Sequence, residues 1–364
     1  MSQRILHVIQ SLERYTPADE LLTLLPTLAA LECQQSVLVL GRGGALAGAF
    51  AEAGVELRCL EQRWTFDPSI IGQLVMHVRR TSPEVVHTWD RLSRRYVSAA
   101  AASSRGWRFV ANWSSMEPAR LRIGMPMFFP RTPDRWLVES ESVRESLSRQ
   151  LTDSAIAVVP PAAAPATSDA TRRGELLAEF GLPDDALLIG TAGQLVVPLG
   201  IKELIWAVDM VRVLHPNIRL LIAGDGPQRD HLQHFAATAA VPENICFLGD
   251  TDRWCDIVPH LDVYWQGTEV QAISPTALLT AMSAGVPVVA SDTPQHREWI
   301  EDNQNGFLVG YDARADRTRI TDQLLVDAEL RQTIGEAARQ HFHEHYMPAA
   351  RAEQLADIYR QAKL

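Results

Sequence analysis

Short, nearly unbroken apolar runs alternate with helix-length amphipathic segments along the chain. In the first part, runs rich in β-branched residues predict strands at Ile5–Ile9, Ser36–Leu40, Val55–Cys59, Val85–Thr88, Phe109–Asn112, Arg135–Val138 and Ile156–Val159. Apolar positions at helical spacing mark Asp19–Leu31 and Pro68–Arg80 between them. Strands that are apolar on both faces must be covered on both faces. Together with strand–helix alternation, this predicts parallel sheets sandwiched by helices. The pattern breaks at Pro160-Pro161-Ala162-Ala163-Ala164-Pro165, where proline cannot continue either element. It then restarts, with strands expected at Leu187–Gly193, Arg219–Ala223, Ile245–Leu248, Val263–Trp265, Val286–Ala290 and Phe307–Val309. Helices are expected at Lys202–Leu214, Gln228–Ala237 and Pro275–Ala284, and helix throughout Ile320–Leu364.

A length of 364 residues also favours two cores over one. The expected organisation is a first Rossmann-like domain over residues 1–160, a linker over 161–175 and a second Rossmann-like domain over 176–342. A carboxy-terminal helix over 343–364 packs back on the first domain. Ligands of doubly wound sheets sit beyond the carboxy ends of the strands, so two such domains predict one interdomain site.

Composition adds little beyond an ordinary globular protein, with 46% hydrophobic and 21% charged residues. No run is long enough to span a bilayer, and Met1-Ser2-Gln3-Arg4 leads straight into a strand without a signal pattern. Cys33, Cys59, Cys246 and Cys255 lack metal-ligand spacing and read as reduced thiols, so a cytoplasmic protein is expected. The net charge of −10 argues against a nucleic-acid partner, yet it is uneven. Residues 1–165 carry +2 and the remainder −12. Arg79–Arg135 alone holds 11 arginines against Glu84, Asp90, Glu117 and Asp134. That segment suits an anionic or membrane-associated acceptor, and a peripheral place at the inner membrane. It equally suits a solvated surface. His341, His343 and His345 alternate on a helix and so do not share a face; no metal site is expected there.

The stretch Pro275–Gly310 carries the most specific pattern. Ala281-Met282, Gly285, Pro287 and Val288 resemble the E-G-F-P-x-x-x-x-E-A-M-A-x-G-x-P-V segment of family-4, GT-B-type glycosyltransferases. Leu221-Ile222-Ala223-Gly224-Asp225-Gly226-Pro227, Phe247-Leu248-Gly249, Gly193-Gln194-Leu195 with Gly200, and Glu298 with Asn305-Gly306 extend the resemblance. Ile5–Ile9 and Val85-Val86-His87-Thr88 carry a looser one in the first half. The resemblance implies a GT-B architecture and a nucleoside diphosphate sugar as donor. It implies transfer with retention, and neither a metal nor a covalently bound cofactor.

Residue by residue, the expected donor site is altered. The family's Arg and Lys in G-R-x…K-G fall on Gln194 and Leu199, with Lys202 three residues on. A charge-assisted hydrogen bond is roughly twice as strong as a neutral one, so the diphosphate is held less tightly. The two glutamates fall on Ala272 and Thr280; a one-residue shift brings Gln271 close, with Glu269 nearby. Thr280 can make one hydrogen bond to a ribose but cannot chelate two hydroxyls. Ser274-Pro275 predicts a capped helix start, whose N–H groups around Ile273, Ser274 and Thr276 favour an anion; a simple helix cap is the alternative. The glycine pair after the first strand is replaced by Tyr15 and Thr16. The donor-side candidates are therefore Gly193, Gln194, Gly200, Lys202, Phe247, Ile273, Ser274, Thr276 and Thr280. His87 is the catalytic candidate, with a buried strand-end histidine as the alternative. Trp89 and Trp113 either stack on a sugar ring or pack in the core. Three readings remain: an active glycosyltransferase, a catalytically degenerate scaffold serving as a binding or regulatory subunit, and an epimerase-like enzyme. No acid/histidine set supports the last.

Overall fold

The computed structural model describes residues 3–14, 17–64, 67–103, 106–113, 131–149, 151–152, 155–167, 173–239, 242–268 and 274–361. The chain forms two compact units, one of residues 1–161 with 348–364 and the other of 162–347. The first unit runs β1 (Gln3–Ile9), α1 (Pro17–Ala30), β2 (Cys33–Val39), α2 (Ala47–Glu52), β3 (Glu56–Cys59), α3 (Pro68–Thr81), β4 (Val85–Thr88), α4 (Arg91–Ala100), β5 (Arg108–Asn112), β6 (Arg135–Val138), α5 (Glu141–Ser148) and β7 (Ile156–Val158). The second runs α6 (Arg173–Glu179), β8 (Leu187–Ala192), α7 (Ile201–Leu214), β9 (Ile218–Ala223), α8 (Arg229–Ala239), β10 (Ile245–Gly249), α9 (Trp254–Ile257), β11 (Val263–Gln266), α10 (Thr276–Ser283), β12 (Val288–Ser291), α11 (His296–Trp299), β13 (Phe307–Val309), α12 (Arg314–Val326) and α13 (Ala328–His345). The chain then returns to the first unit as α14 (Pro348–Gln361).

Both sheets are parallel and Rossmann-like, ordered β3-β2-β1-β4-β5-β6-β7 and β10-β9-β8-β11-β12-β13. The order reverses at β1/β4 and at β8/β11, the topological switch points at which such sheets bind ligands. Each strand expected from the apolar pattern is present. Asp67 caps α3 by accepting from the Ser69 N–H, with Pro68 at the first helical position. Asp90 and Ser93 form a capping box at α4.

Two local expectations need correction. The helix expected from Pro275 starts at Thr276, with Pro275 as its N-cap and no side-chain cap. The Ser274 hydroxyl lies 3.1 Å from the Thr276 hydroxyl and not on a backbone N–H. The strand expected from Val286 starts at Val288 because the helix end takes up the preceding residues. Gly285 adopts φ +74, its N–H donates to Met282 O at 2.9 Å, and the Val286 N–H donates to Ala281 O at 3.1 Å. This is a Schellman stop, for which glycine suits the left-handed position. Within the helical tail, α12, α13 and α14 are separated at Asp327 and at Tyr346–Met347. Among the described residues no helix is long and apolar enough to cross a membrane.

Candidate functional site

In the second unit, α9 and α10 cover one face of the sheet and α7 and α12 the other. Strand alternation sorts β11 accordingly. Trp265 faces α12 and donates its Nε1–H to Thr321 Oγ1 at 3.1 Å. Tyr264 and Gln266 face the α10 side, and the Tyr264 hydroxyl donates to Gln266 Oε1 at 2.6 Å. Gln266 is 2% exposed, and its Nε2 has no partner among the described residues.

The loops following β8 and β11 meet at two glycines. Gly200 adopts φ +68, and a Cβ there would lie 2.8 Å from the Tyr311 ring and 3.4 Å from the Gly267 carbonyl carbon. A Cβ on Gly267 would lie 3.0 Å from Leu199 O. The turn after β9 presses on the first of these loops. Leu195 N donates to Asp225 O at 2.9 Å, and a Cβ on Gly226 would lie 2.6 Å from Leu195 O. Gly193, Gln194 and Gly200 thus follow β8, and Gly200 meets the loop after β11 at Gly267. Gln194 is exposed. At α10 the N–H groups of Thr276, Ala277 and Leu278 precede the first intrahelical bond, Leu279 N to Pro275 O at 2.8 Å. Such groups, with the helix dipole, form an anion-favouring end.

Other candidates are directed elsewhere. Leu199 is fully buried in the core and packs on Gly193. Lys202 is exposed, with Nζ 5.2 Å from the Trp206 ring centroid and 4.9 Å from that of Phe235. Phe247 lies on the edge strand β10, separated from β11 by β9 and β8, and packs against the core. The Thr280 hydroxyl lies 2.9 Å from Thr276 O and 3.1 Å from Ala164 O, so its single proton is shared within the unit. Ser283 accepts from Ala166 N at 2.8 Å, and segment 164–166 is thereby laid along α10. Ile273, Ala272, Glu269, Gln271, Tyr15 and Thr16 lie outside the described residues, as does 114–130 of the Arg79–Arg135 segment.

His87 belongs to the first unit and is fully buried. Its Nδ1 lies 2.6 Å from Tyr359 Oη on α14 and its Nε2 2.9 Å from Asn112 Oδ1. Burial first, and then His7, pushes its pKa well below the ordinary histidine range. Trp89 is buried beside it and donates to His7 Nδ1 at 3.1 Å. Trp113 is buried against Trp136 and Arg94. Among the described residues no three His, Cys, Asp or Glu side chains cluster in a way that could hold a metal.

Gln266 and Arg317 were not singled out from sequence. Gln266 closes an otherwise apolar strand. Arg317 shares the helical stripe Arg317, Ile320, Thr321, Leu324, a polar residue on a buried face. That stripe was the available signal.

The two parallel sheets and their switch points define the paired-Rossmann fold of GT-B glycosyltransferases. HepE of Anabaena in complex with UDP-glucose superposes with a TM-score of 0.84 at 16% identity, over 98% of this chain and 99% of that one. Residues 173–341 match the family model Glycosyl transferases group 1. The lipopolysaccharide core biosynthesis glycosyltransferase LpsE of Rhizobium meliloti is 26% identical over 184 residues, 50% of this chain and 52% of LpsE. The alpha-D-kanosaminyltransferase of Streptomyces kanamyceticus is 23% identical over 259 residues, 70% of this chain and 64% of that protein. The chain spans about half the length of most curated relatives it matches.

Proposed function

We propose that this chain is a glycosyltransferase-type protein that binds a nucleoside diphosphate sugar through backbone amides and neutral side chains of its second unit. The observation that carries this reading is the junction of the β8 and β11 loops. On that side of the sheet the N–H groups of Thr276, Ala277 and Leu278 open α10, on the same face as Gln266, whose Nε2 is buried and has no partner among the described residues. A buried amide without a partner costs free energy that a ligand acceptor would recover. Gln194 adds a neutral donor. The reaction proposed is transfer with retention and without a metal, to an anionic or membrane-associated acceptor facing the Arg79–Arg135 segment. The likeness to HepE makes a uridine diphosphate sugar the first donor to test.

A second reading, a degenerate scaffold acting as a binding or regulatory subunit, is favoured by a separate observation. Leu199 is committed to the core, the Thr280 hydroxyl to backbone carbonyls, and both ring nitrogens of His87 to Tyr359 and Asn112. Calorimetric titration with uridine, guanosine and adenosine diphosphate sugars, followed by a donor-hydrolysis assay, separates the two. Binding with turnover supports the transferase, and binding without turnover supports the degenerate subunit. No heat with any donor sinks the transferase reading.

A further inference from the structure

Arg317 projects from α12 beneath the carboxy ends of β11 and β12. It is 2% exposed. Its Nη1 donates to Val289 O at 3.0 Å, and its Nη2 lies 3.4 Å from Ser291 Oγ. Its guanidinium carbon lies 5.7 Å from the Trp265 ring centroid. These partners are neutral, and among the described residues Arg317 has no carboxylate partner. Asp292, next in sequence to Ser291, is turned to Arg297 at 2.5 and 2.7 Å. The buried His296, whose Nδ1 lies 2.6 Å from Ser291 O, is held neutral by burial, with a pKa of about 4. A full positive charge is therefore left without a counter-ion. Buried charges are rarely left so, because desolvation is costly unless an opposite charge compensates it. Its nearest route to the site is short: Ser291 Oγ also accepts from the Thr268 N–H at 3.1 Å, where the chain leaves β11 towards α10.

We propose that Arg317 supplies from behind the positive potential that an anion such as a nucleotide diphosphate needs at the ends of β11 and β12, in place of the cations absent at Gln194 and Leu199. This rests on the donor-binding reading above. Because Arg317 is buried it is a positioning and electrostatic residue, not a catalytic one. A charge in a low-dielectric interior acts over longer distances than one in water.

The test titrates uridine diphosphate and inorganic pyrophosphate into the full-length protein and the variants Arg317→Met and Arg317→Lys. Arg317→Met is expected to bind both anions at least about tenfold more weakly. Arg317→Lys is expected to restore binding at pH 7 and lose it towards pH 9, because burial lowers a lysine from an ordinary pKa of about 10.4. The same burial brings Arg317 down only to about 10, so wild-type affinity changes there mainly with the ligand's own charge, and the extra loss in Arg317→Lys relative to wild type reads the side chain. A merely structural role would not produce this pH difference. Unchanged binding by Arg317→Met overturns the proposal and leaves the donor reading intact. If Arg317→Met does not fold, a pH profile for Arg317→Lys that parallels wild type overturns it instead. Pyrophosphate binding that depends on Arg317, with no binding of any nucleotide sugar, supports the anion site and sinks the donor reading. Wild type that binds neither anion sinks both.

Discussion

Arg351→Met attacks the attachment of α14 to the first unit. Arg351 Nε lies 2.7 Å from Glu20 Oε1 on α1, with the two side chains 3% and 8% exposed. Nε itself makes no well-aligned hydrogen bond, so the attraction there is chiefly Coulombic. Nη1 donates to Val159 O at 2.6 Å and to Pro160 O. One guanidinium thus joins α1, α14 and the segment after β7. Removing it takes the Arg351 cation away from Glu20 and Glu139, two acidic side chains that repel one another. Removing one member of a buried pair costs about 3–5 kcal/mol, and the two carbonyls that lose a charged donor favour the upper end. Hydrogen exchange of α1 and α14 amides reads the cost locally, without assuming that both units unfold together. Protection of α14 is expected to fall by about two to four orders of magnitude, towards the larger figure. Adding Glu20→Gln is expected to recover a substantial part, because it removes the buried negative charge that Arg351 had compensated. A fall of less than about tenfold, or no recovery in the double variant, would refute the view that this ion pair anchors the helix.

Three further outcomes are expected. Burial first, and then Glu20, raise Glu139 to about 7, partly offset by Arg351. Because the folded-state value lies above the ordinary one, this contribution is full below about pH 4.5 and lost as pH rises through 7, up to a few kcal/mol. The difference between wild type and Glu139→Gln in urea unfolding should therefore change over that window, and a constant difference would rule it out. Gly335→Ala places a Cβ 2.0 Å from Gly285 O, where α13 crosses the end of α10. A destabilisation of about 1–3 kcal/mol by thermal or chemical melting is expected; a neutral variant would show that the crossing yields freely. Leu199→Lys puts an ammonium where a fully buried side chain packs on Gly193. It is expected to lose about 2 kcal/mol or more and not to raise donor affinity in calorimetry. A gain in affinity would show that this position still opens to the ligand.

The strands were legible because each is a local apolar run, and the sheets were legible because such runs alternate with helices. Where expectation failed, a neighbouring element had claimed the residues. Val286 looks like strand, yet the Gly285 stop draws its N–H back to Ala281. Ser274 looks like a cap, yet Pro275 takes that position and Ser274 reaches the Thr276 hydroxyl. At the candidate site, the glycines of the β8 loop and the start of α10 were readable from motif spacing. The directions of Leu199, Lys202 and Phe247 were not, because spacing fixes a residue's place on the chain and not the face it presents.

The sequence by itself determined the element order and the parallel αβ architecture. Both depend on residue type and local period. Tertiary structure alone decided that Arg351 and Tyr359 are the residues by which α14 holds to the first unit, that His87 has both nitrogens occupied, and that Arg317 is buried without a carboxylate partner among the described residues. Those facts depend on contacts between residues far apart in sequence. The free energy of a charge or a hydrogen bond is set by the surroundings that packing brings to it.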